Sequence, residues 1–283
     1  MKKSITMFVL LLTLQLSAQT IGKFSIDSGG ASASAGNIEI LYTIGELNVQ
    51  ELAAGNIQIS EGFINPLNLT ISVNPKVFLQ GPFMNPITGG LMNDDLRTML
   101  STTSPYTDGL ICNASVFTVS GSEAIVDWVL VELRDAADRT IIIESRSALL
   151  QRDGDVVDID GSSGVSFTSS VGNYYVLINH RNHLGILSAS PISLSGITSV
   201  DLSADPSAVF GGTNAVVNMS GVYAAFSGDF DGNGQIQNLD ATGVILLLGS
   251  SGYSSADMDM NGQIQNSDVN TLLNPNIGKG QQF

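Results

Sequence analysis

Alternation of apolar and polar residues predicts strands over most of this chain. Ile38–Tyr42 and Ile57–Ile59 each follow a Gly-Asn pair, which is turn chemistry before a strand. Ile125–Leu133 is apolar on both faces at its centre, as expected of an inner strand. The same β pattern continues in three later runs, Thr140–Glu144, Tyr174–Ile178 and Leu184–Ser188. Short strands separated by polar turns at this spacing predict a β-sandwich with an immunoglobulin-like outline.

Helical spacing of apolar residues occurs near the end of the chain. Two sets of residues carry it, Ala241, Val244, Ile245 and Leu248 in the first and Val269, Leu272 and Leu273 in the second. Asn238 and Asn266 precede the two sets and are good N-cap residues. Gly249 and Pro275 are expected to end the two helices.

These patterns divide the chain into five segments. We expect a signal peptide over residues 1–18, a small β module over 19–69, a β-sandwich domain over 70–222, a small α-helical module over 223–275 and a tail over 276–283. The predicted fold class is therefore mainly β.

The first segment has the composition of a bacterial secretory signal. Lys2 and Lys3 supply its positive end, Met7–Leu14 its apolar run, and Leu16-Ser17-Ala18 a cleavage site. The run is shorter than the roughly 20 residues that span a bilayer, and no later stretch is long and apolar enough for a transmembrane helix. We therefore expect a secreted protein, extracellular or at the cell surface.

Charge and cysteine content limit the classes of partner and the covalent cross-links that this chain can have. Without Lys2 and Lys3 the chain has nine basic residues against 26 acidic ones, a formal net charge of −17. Nucleic acid is excluded as a partner because phosphate binding needs clustered Lys and Arg, whereas divalent cations suit this balance. Cys112 is the single cysteine, so no internal disulfide can form.

The hexapeptide NGQIQN occurs twice, 28 residues apart, within DFDGNGQIQNLD and DMDMNGQIQNSD. Calcium prefers roughly six to eight oxygen ligands, which a loop of about 12 residues supplies from positions 1, 3, 5, 7, 9 and 12. Gly234 and Gly262 stand where such a loop turns sharply. Ile236 and Ile264 are placed to meet across paired loops.

We therefore predict two Ca²⁺ ions, one in each loop. The first loop offers Asp229, Asp231, Asn233, the carbonyl of Gln235, Gln237 and Asp240. The second loop offers Asp257, Asp259, Asn261, the carbonyl of Gln263, Gln265 and Asp268.

Each predicted loop is followed by a helix, and no helix precedes it. This arrangement, present twice, resembles a type I dockerin. GDFDGNGQIQNLD is similar to the GDxNxDGxIxxxD pattern of that family, which also has Asp at loop position 12. The resemblance implies calcium binding and docking of the helices onto a cohesin-type partner. Such docking requires an exposed helix face, whereas a purely structural module would bury Val244, Ile245 and Leu248 against the sandwich.

Several stretches resemble exported bacterial surface proteins of the haemagglutinin-like or adhesin-like kind. They are LQGPFMNPITGGLMNDDLR, VDWVLVELRD, SRSALLQRDGDVVDID and HRNHLG. The segment over residues 19–69, with its TIGE and later GF, is similar to a short β module of exported bacterial proteins. Both resemblances imply binding or adhesion at or near the cell surface, toward a protein or glycan ligand.

Two further groups of polar residues leave alternatives open. An acidic run either binds a third cation or forms an exposed turn and strand edge, and it contains Asp153, Asp155, Asp158 and Asp160. His180 and His183 either share a zinc ion, if the chain turns between them, or close a hairpin as a hydrogen-bonding pair.

The sequence lacks the motifs of nucleophile elbows, zinc proteases and phosphate loops, so we expect a protein that is not an enzyme. A carboxylate pair acting on sugars remains an alternative among the acidic residues. The leading hypothesis is an exported binding or adhesion protein with two calcium loops. The alternatives are an assembly component that docks to a cohesin-type partner and a non-catalytic part of a polysaccharide-degrading system.

Overall fold

The computed structural model describes residues 29–35, 38–44, 50–54, 57–61, 70–84 and 89–283. The chain divides into two compact units, Met1–Asn68 and Leu69–Phe283. The signal peptide expected over residues 1–18 lies outside the described residues.

Two antiparallel strand pairs are described in the first unit. β1 (Gly29–Ala35) pairs with β2 (Ile38–Ile44), and β3 (Gln50–Ala54) pairs with β4 (Ile57–Glu61). The two alternating runs predicted as strands lie in β2 and β4.

Twelve further strands are described in the second unit. They are β5 (Ile71–Lys76), β6 (Phe78–Leu79), β7 (Ile125–Asp135), β8 (Ile142–Gln151), β9 (Val156–Val157), β10 (Val165–Phe167), β11 (Gly172–His180), β12 (His183–Leu187), β13 (Ile192–Leu194), β14 (Ile197–Asp201), β15 (Val216–Met219) and β16 (Val222–Ala225).

The helices of this unit are short. The α-helices are α1 (Gln80–Phe83), α2 (Asn238–Ile245) and α3 (Asn274–Asn276), and a π-helix spans Asp268–Leu273. The 3₁₀ turns are Asp95–Thr98, Ala114–Thr118, Pro206–Ala208 and Gly212–Asn214. No helix among the described residues has the length and apolar character needed to cross a membrane.

Three sheets form the body of the second unit. The largest is antiparallel, with the order β12-β11-β7-β8-β9 and with β13 also paired to β11. The other two have the orders β10-β5-β14 and β15-β16-β6, and each contains one parallel pair. The prediction of a mainly β chain is confirmed.

Strand β7 is the central element of the largest sheet. It lies between β8 and β11, and its first five residues are buried. The prediction of an inner strand at Ile125–Leu133 is confirmed. Two carboxylates, Asp127 and Glu132, are nevertheless buried in it. Glu132 is compensated by a hydrogen bond from Arg134 Nε at 2.9 Å and one from Asn179 Nδ2 at 3.0 Å.

The second unit contains two apolar clusters. The larger is shared by the three sheets and includes Trp128, Phe167 and Leu149. The smaller lies mainly in the repeat region, residues 226–283, and extends to the body at Leu184 of β12. Its members are Leu184, Phe226, Ile236, Ala241, Val244, Ala256, Met258, Ile264, Val269, Leu272 and Leu273.

Both repeat helices end differently from the prediction. Helix α2 ends at Ile245 and a turn follows, so Gly249 lies beyond the helix and not at its end. Pro275 does not end the second helix but lies inside α3. The helix continues through it without a break, because α3 directly follows the π-helix.

Helix α1 touches the repeat region at Gly81. A Cβ added to Gly81 would lie 1.7 Å from the carbonyl oxygen of Met258. We expect Gly81→Ala to lower the free energy of unfolding by about 1–3 kcal/mol, because two backbone segments would have to separate. Denaturant unfolding measures this. Gly89→Ala is the control, since an added Cβ there meets nothing within 4 Å, and equal stability of the two variants would contradict the contact.

Candidate metal centre

The two repeat loops contain equivalent patterns of hydrogen bonds. At loop position 12, Asp240 accepts hydrogen bonds from Phe230 N at 2.9 Å and from Gln237 N at 2.7 Å. Asp268 accepts the equivalent bonds from Met258 N and Gln265 N, both at 2.7 Å. The sequence repeat is therefore also a repeat of geometry.

The carboxylate of Asp240 also sets where α2, the first repeat helix, begins. Gln237 is the N-cap of α2, one residue before the predicted Asn238. The shift follows from Asp240, whose side chain reaches back to the N–H group of Gln237 and so caps the first turn. Asn266 is likewise already helical, so it is not an N-cap.

Each loop begins with a carboxylate that fixes its sharp turn. Gly234 N donates to Asp229 Oδ2 at 3.0 Å, and Gly262 N donates to Asp257 Oδ2 at 2.8 Å. The two glycines have φ angles of 79° and 85°, which are costly for a residue with a side chain.

Loop positions 3 and 5 are joined by their side chains. Asn233 Nδ2 donates to Asp231 Oδ2 at 2.8 Å, and Asn261 Nδ2 donates to Asp259 Oδ2 at 3.0 Å. The amide oxygens of both asparagines therefore point away from these carboxylates. Each oxygen accepts a hydrogen bond at 2.8 Å from the backbone N–H two residues later.

Three carboxylates meet in the first loop. Asp229, Asp231 and Asp240 each offer an oxygen within 4.8 Å of the others. Asp229 is 3% exposed, and no hydrogen-bond donor among residues 70–84 and 89–283 reaches its Oδ1 atom. Burial, together with the charges of Asp240 and Asp231, raises the pKa of Asp229 to about 6.

The second loop gathers Asp257, Asp259 and Asp268 in the same way, and all three are buried. Burial and the charge of Asp268 raise the pKa of Asp257 to about 6. Burial and the charges of Asp268 and Asp257 raise the pKa of Asp259 to about 7. A cation between these oxygens would offset both the cost of burying the charged carboxylates and their mutual repulsion.

Six of the twelve predicted ligands thus form the two triads. The other six flank the triads in the same loops, Asn233, Gln235, Gln237, Asn261, Gln263 and Gln265. The side chain of Gln265 donates from Nε2 to Gln263 Oε1 at 2.9 Å. Coordination by these six residues stays a prediction.

The second loop pairs with the segment that follows α2. Gly249 N donates to Ile264 O, and Ile264 N donates to Ser250 O, both at 2.9 Å. Ser251 and Gln263 form a β-bridge beside them.

The first loop pairs with residues 276–283, the segment predicted from the sequence to be a tail. Ile236 N donates to Lys279 O at 2.9 Å, and Gln281 N donates to Gly234 O at 2.8 Å. Each loop is therefore bordered by the segment that follows the other loop's helix.

This crossed pairing changes one expectation. The hydrogen bonds of Ile236 and Ile264 lead to these flanking segments, so the two loops are not paired with each other at these residues. Both side chains are buried in the same apolar cluster instead.

A buried carboxylate of the body lies next to the segment that precedes the second loop. Asp127 accepts hydrogen bonds from Tyr253 Oη at 2.8 Å and from Arg181 Nε at 3.0 Å. Arg181 also donates to the carbonyl of Ser254. Burial opposes ionisation of Asp127, but the charge of Arg181 and the hydrogen bonds from His180 and Tyr253 together outweigh burial and hold its pKa below the usual value. This contact was not predicted from the sequence, although a carboxylate inside an apolar strand was its signal.

The two histidines form a hydrogen-bonded pair across the β11–β12 hairpin, with their Nδ1 atoms 3.1 Å apart. Gly81 N donates to His183 Nε2 at 3.1 Å, so the ring proton of His183 is on Nδ1. His180 Nε2 donates to Asp127 Oδ2 at 3.1 Å. Burial lowers the pKa of both rings. All four ring nitrogens are engaged, so the geometry supports the hairpin pair and not a zinc site.

The acidic run at Asp153–Asp160 is not gathered into a cation site. Asp158 accepts a hydrogen bond from Arg146 Nη2 at 2.8 Å, and Asp155 forms an ion pair with Lys76 Nζ at 2.8 Å. Within the part of the chain that the structure describes, acidic triads occur in the two repeat loops alone. The alternative of an exposed turn and strand edge therefore fits the run better.

No protein-family model matches this chain, and a comparison with curated proteins finds no match. Two crystal structures of interface mutants of type II cohesin–X-dockerin complexes from Acetivibrio cellulolyticus are similar to it. The first has 13% sequence identity and a TM-score of 0.40, covering 75% of this chain and 97% of the other. The second has 13% identity and a TM-score of 0.33, covering 71% and 88%. The similarity in overall fold is weak.

The raised pKa values predict how stability depends on pH when divalent cations are removed. The folded pKa of Asp259 is about 7, above its ordinary 3.8, so its contribution to stability is present at low pH and lost as pH rises toward 7. Asp259→Asn should therefore stabilise the cation-free protein by about 1–2 kcal/mol at pH 8 and by much less at pH 5. Chemical unfolding in chelator at both pH values measures this. A gain that is the same at both would contradict the shift.

Proposed function

We propose that this chain is an exported, non-enzymatic binding protein whose C-terminal repeat holds two calcium ions. The observation that carries the proposal is the pair of acidic triads, built by equivalent hydrogen bonds in two loops 28 residues apart. An acidic cluster on a protein surface is common, but five of these six carboxylates are buried.

The donor set fits calcium. Every candidate ligand atom is a carboxylate, amide or carbonyl oxygen, and hard cations prefer oxygen ligands, whereas zinc sites use histidine or cysteine. Asp229 Oδ1 is buried and has no donor among the described residues, and a cation would satisfy it. The proposed ligands are those predicted from the loop positions in both repeats. A bound calcium ion supplies the positive charge that compensates the three carboxylates.

Calcium binding should be coupled to folding of the repeat. The loops contribute Ile236 and Ile264 to the apolar cluster that also holds both helices. Repulsion among the carboxylates therefore acts directly on the packing of that cluster. At 1 mM calcium and a Kd of about 10⁻⁵ M, one bound ion would stabilise the folded state by about 2.7 kcal/mol.

A calcium titration of the cation-free protein tests the proposal. We expect two ions to bind, with Kd values of about 10⁻⁶–10⁻⁴ M. Asp231→Asn and Asp259→Asn should each reduce the stoichiometry from two to one, because each removes a charged ligand from one loop. Asp160→Asn, which lies in the separate acidic run, should leave both sites intact. Isothermal calorimetry provides the readout, and unaltered far-UV circular dichroism and proteolysis of residues 223–275 after chelation would contradict the coupling to folding.

The proposed binding or adhesion role, toward a protein or glycan ligand at the cell surface, has its support in the sequence. The stretches similar to haemagglutinin-like and adhesin-like proteins fall between residues 79 and 185, and the signal-like segment at residues 1–18 favours export. Extracellular calcium concentrations are compatible with sites in the proposed affinity range.

The second candidate is an assembly component that docks to a cohesin-type partner. A specific observation favours it, because much of the first repeat helix and the turn after it is apolar and exposed. The exposed side chains are Leu239 at 70%, Ile245 at 52%, Leu246 at 80%, Leu247 at 37% and Leu248 at 37%. Of the three residues that a purely structural module would bury, Val244 is buried whereas Ile245 and Leu248 are exposed. An exposed apolar group of this kind is typical of an interaction surface.

Leu246→Asp tests this candidate. If the helix face docks, the substitution should weaken binding to purified cohesin domains at least about 100-fold, because it places a charge in an apolar interface. It should leave calcium affinity unchanged, since the side chain points to solvent. Ile197→Asp on β14 is the matched control, with 77% exposure against 80% for Leu246. Surface plasmon resonance against a cohesin panel, run with and without calcium, measures the effect.

The outcome separates the two candidates. Calcium-dependent cohesin binding that Leu246→Asp removes supports assembly. A glycan array that gives calcium-dependent binding insensitive to Leu246→Asp, with no response to cohesins, supports adhesion through the body instead.

A further inference from the structure

We propose that Asn182 of the body is the positioning residue of the second calcium loop and the main-chain anchor of the first. The inference rests on the calcium function proposed above. It assigns to the β body a role in shaping both cation sites.

Asn182 lies in the two-residue turn between β11 and β12. It has 0% exposure, which is unusual for a polar residue in a hairpin turn. Burial of an amide costs free energy unless its hydrogen bonds are made. Both of its polar side-chain atoms have partners, and those of Nδ2 connect the body to the repeat.

The side chain of Asn182 holds the start of the second loop. Its Nδ2 atom donates to Asp257 O at 2.8 Å and to Ser255 O at 3.1 Å. Asp257 is the residue at position 1 of this loop and a member of its acidic triad. The amide thus fixes the main chain at the residue that supplies the first carboxylate.

The main chain of Asn182 holds the start of the first loop. Its carbonyl oxygen accepts a hydrogen bond from Gly228 N at 3.0 Å, and Gly228 directly precedes Asp229. Gly228 has a φ of 133°, and a Cβ added there would lie 2.9 Å from Ile236. The first ligand of this loop therefore also starts from a backbone position held by the hairpin turn.

The orientation of the Asn182 amide is set within the body. His183 Nδ1 carries the ring proton because its Nε2 atom accepts from Gly81, and this one proton is shared between Asn182 Oδ1 at 2.7 Å and His180 Nδ1 at 3.1 Å. With Oδ1 fixed as the acceptor, Nδ2 is the atom that faces Asp257 and Ser255. The buried histidine therefore determines which end of the amide faces the loop.

Substitution should affect the two loops unequally. Asn182→Ala removes the two side-chain hydrogen bonds to the second loop but keeps the carbonyl that anchors the first. We expect the calcium affinity of the second loop to fall about tenfold and that of the first to change by less than about threefold. General destabilisation would weaken both loops alike, so the inequality is specific to positioning.

The experiment measures each loop alone in the full chain. Asp231→Asn disables the first loop and Asp259→Asn disables the second, and Asn182→Ala is added to each background before calorimetric calcium titration. Asn179→Ala is the matched control, because Asn179 lies on the same hairpin but donates to Glu132 of the body. Asn182→Ser, which keeps a hydroxyl donor, replaces the alanine if that variant fails to fold, with the same inequality expected at about threefold.

The possible failures are distinguishable. If the wild-type protein binds no calcium, both the proposed function and this inference are wrong. If the wild-type protein binds two ions but Asn182→Ala leaves both affinities unchanged or lowers both equally, this inference is wrong. The proposed function is then still supported.

Discussion

Repulsion among three carboxylates is the constraint around which each repeat loop is built. Asp257, Asp259 and Asp268 are all buried, and their oxygens lie within 4.8 Å of one another. Backbone N–H groups donate to these oxygens and offset part of the repulsion. Burial and the remaining repulsion together keep the pKa values of Asp257 and Asp259 well above the ordinary aspartate value. A divalent cation bound by these oxygens would resolve this conflict.

The clustering of these carboxylates could be predicted from the sequence. Their spacing within a loop depends on backbone geometry over a dozen neighbouring residues, so Asp229, Asp231 and Asp240 could be expected to lie together without knowledge of the fold. The strand in β7 was predictable for a similar reason, since a continuous apolar run reports burial directly. Local chemistry also explains one difference from the prediction. Because Asp240 caps the first turn at Gln237, α2 begins at Asn238, the residue predicted to be its N-cap.

Contacts between distant segments lay beyond sequence reasoning. The parallel pairs β5–β14 and β6–β16 join strands that are far apart in the chain, and no spacing rule relates them. The helical periodicity around Val244, Ile245 and Leu248 indicated one apolar face. That face was not buried as a unit, because α2 is only eight residues long and the leucines after it fall in a turn. The ion pair between Asp127 and Arg181 belongs to the same class of contact, because it joins a strand of the body to a hairpin turn beside the repeat.

The crossed pairing of the loops has a consequence for the order of folding during synthesis. Gly234 of the first loop accepts its hydrogen bond from Gln281, and the intervening chain includes the whole second loop. A ribosome that has released the first loop has not yet made the segment that borders it. The earlier half of the duplication must therefore wait for the later half, and the two mature together rather than in succession.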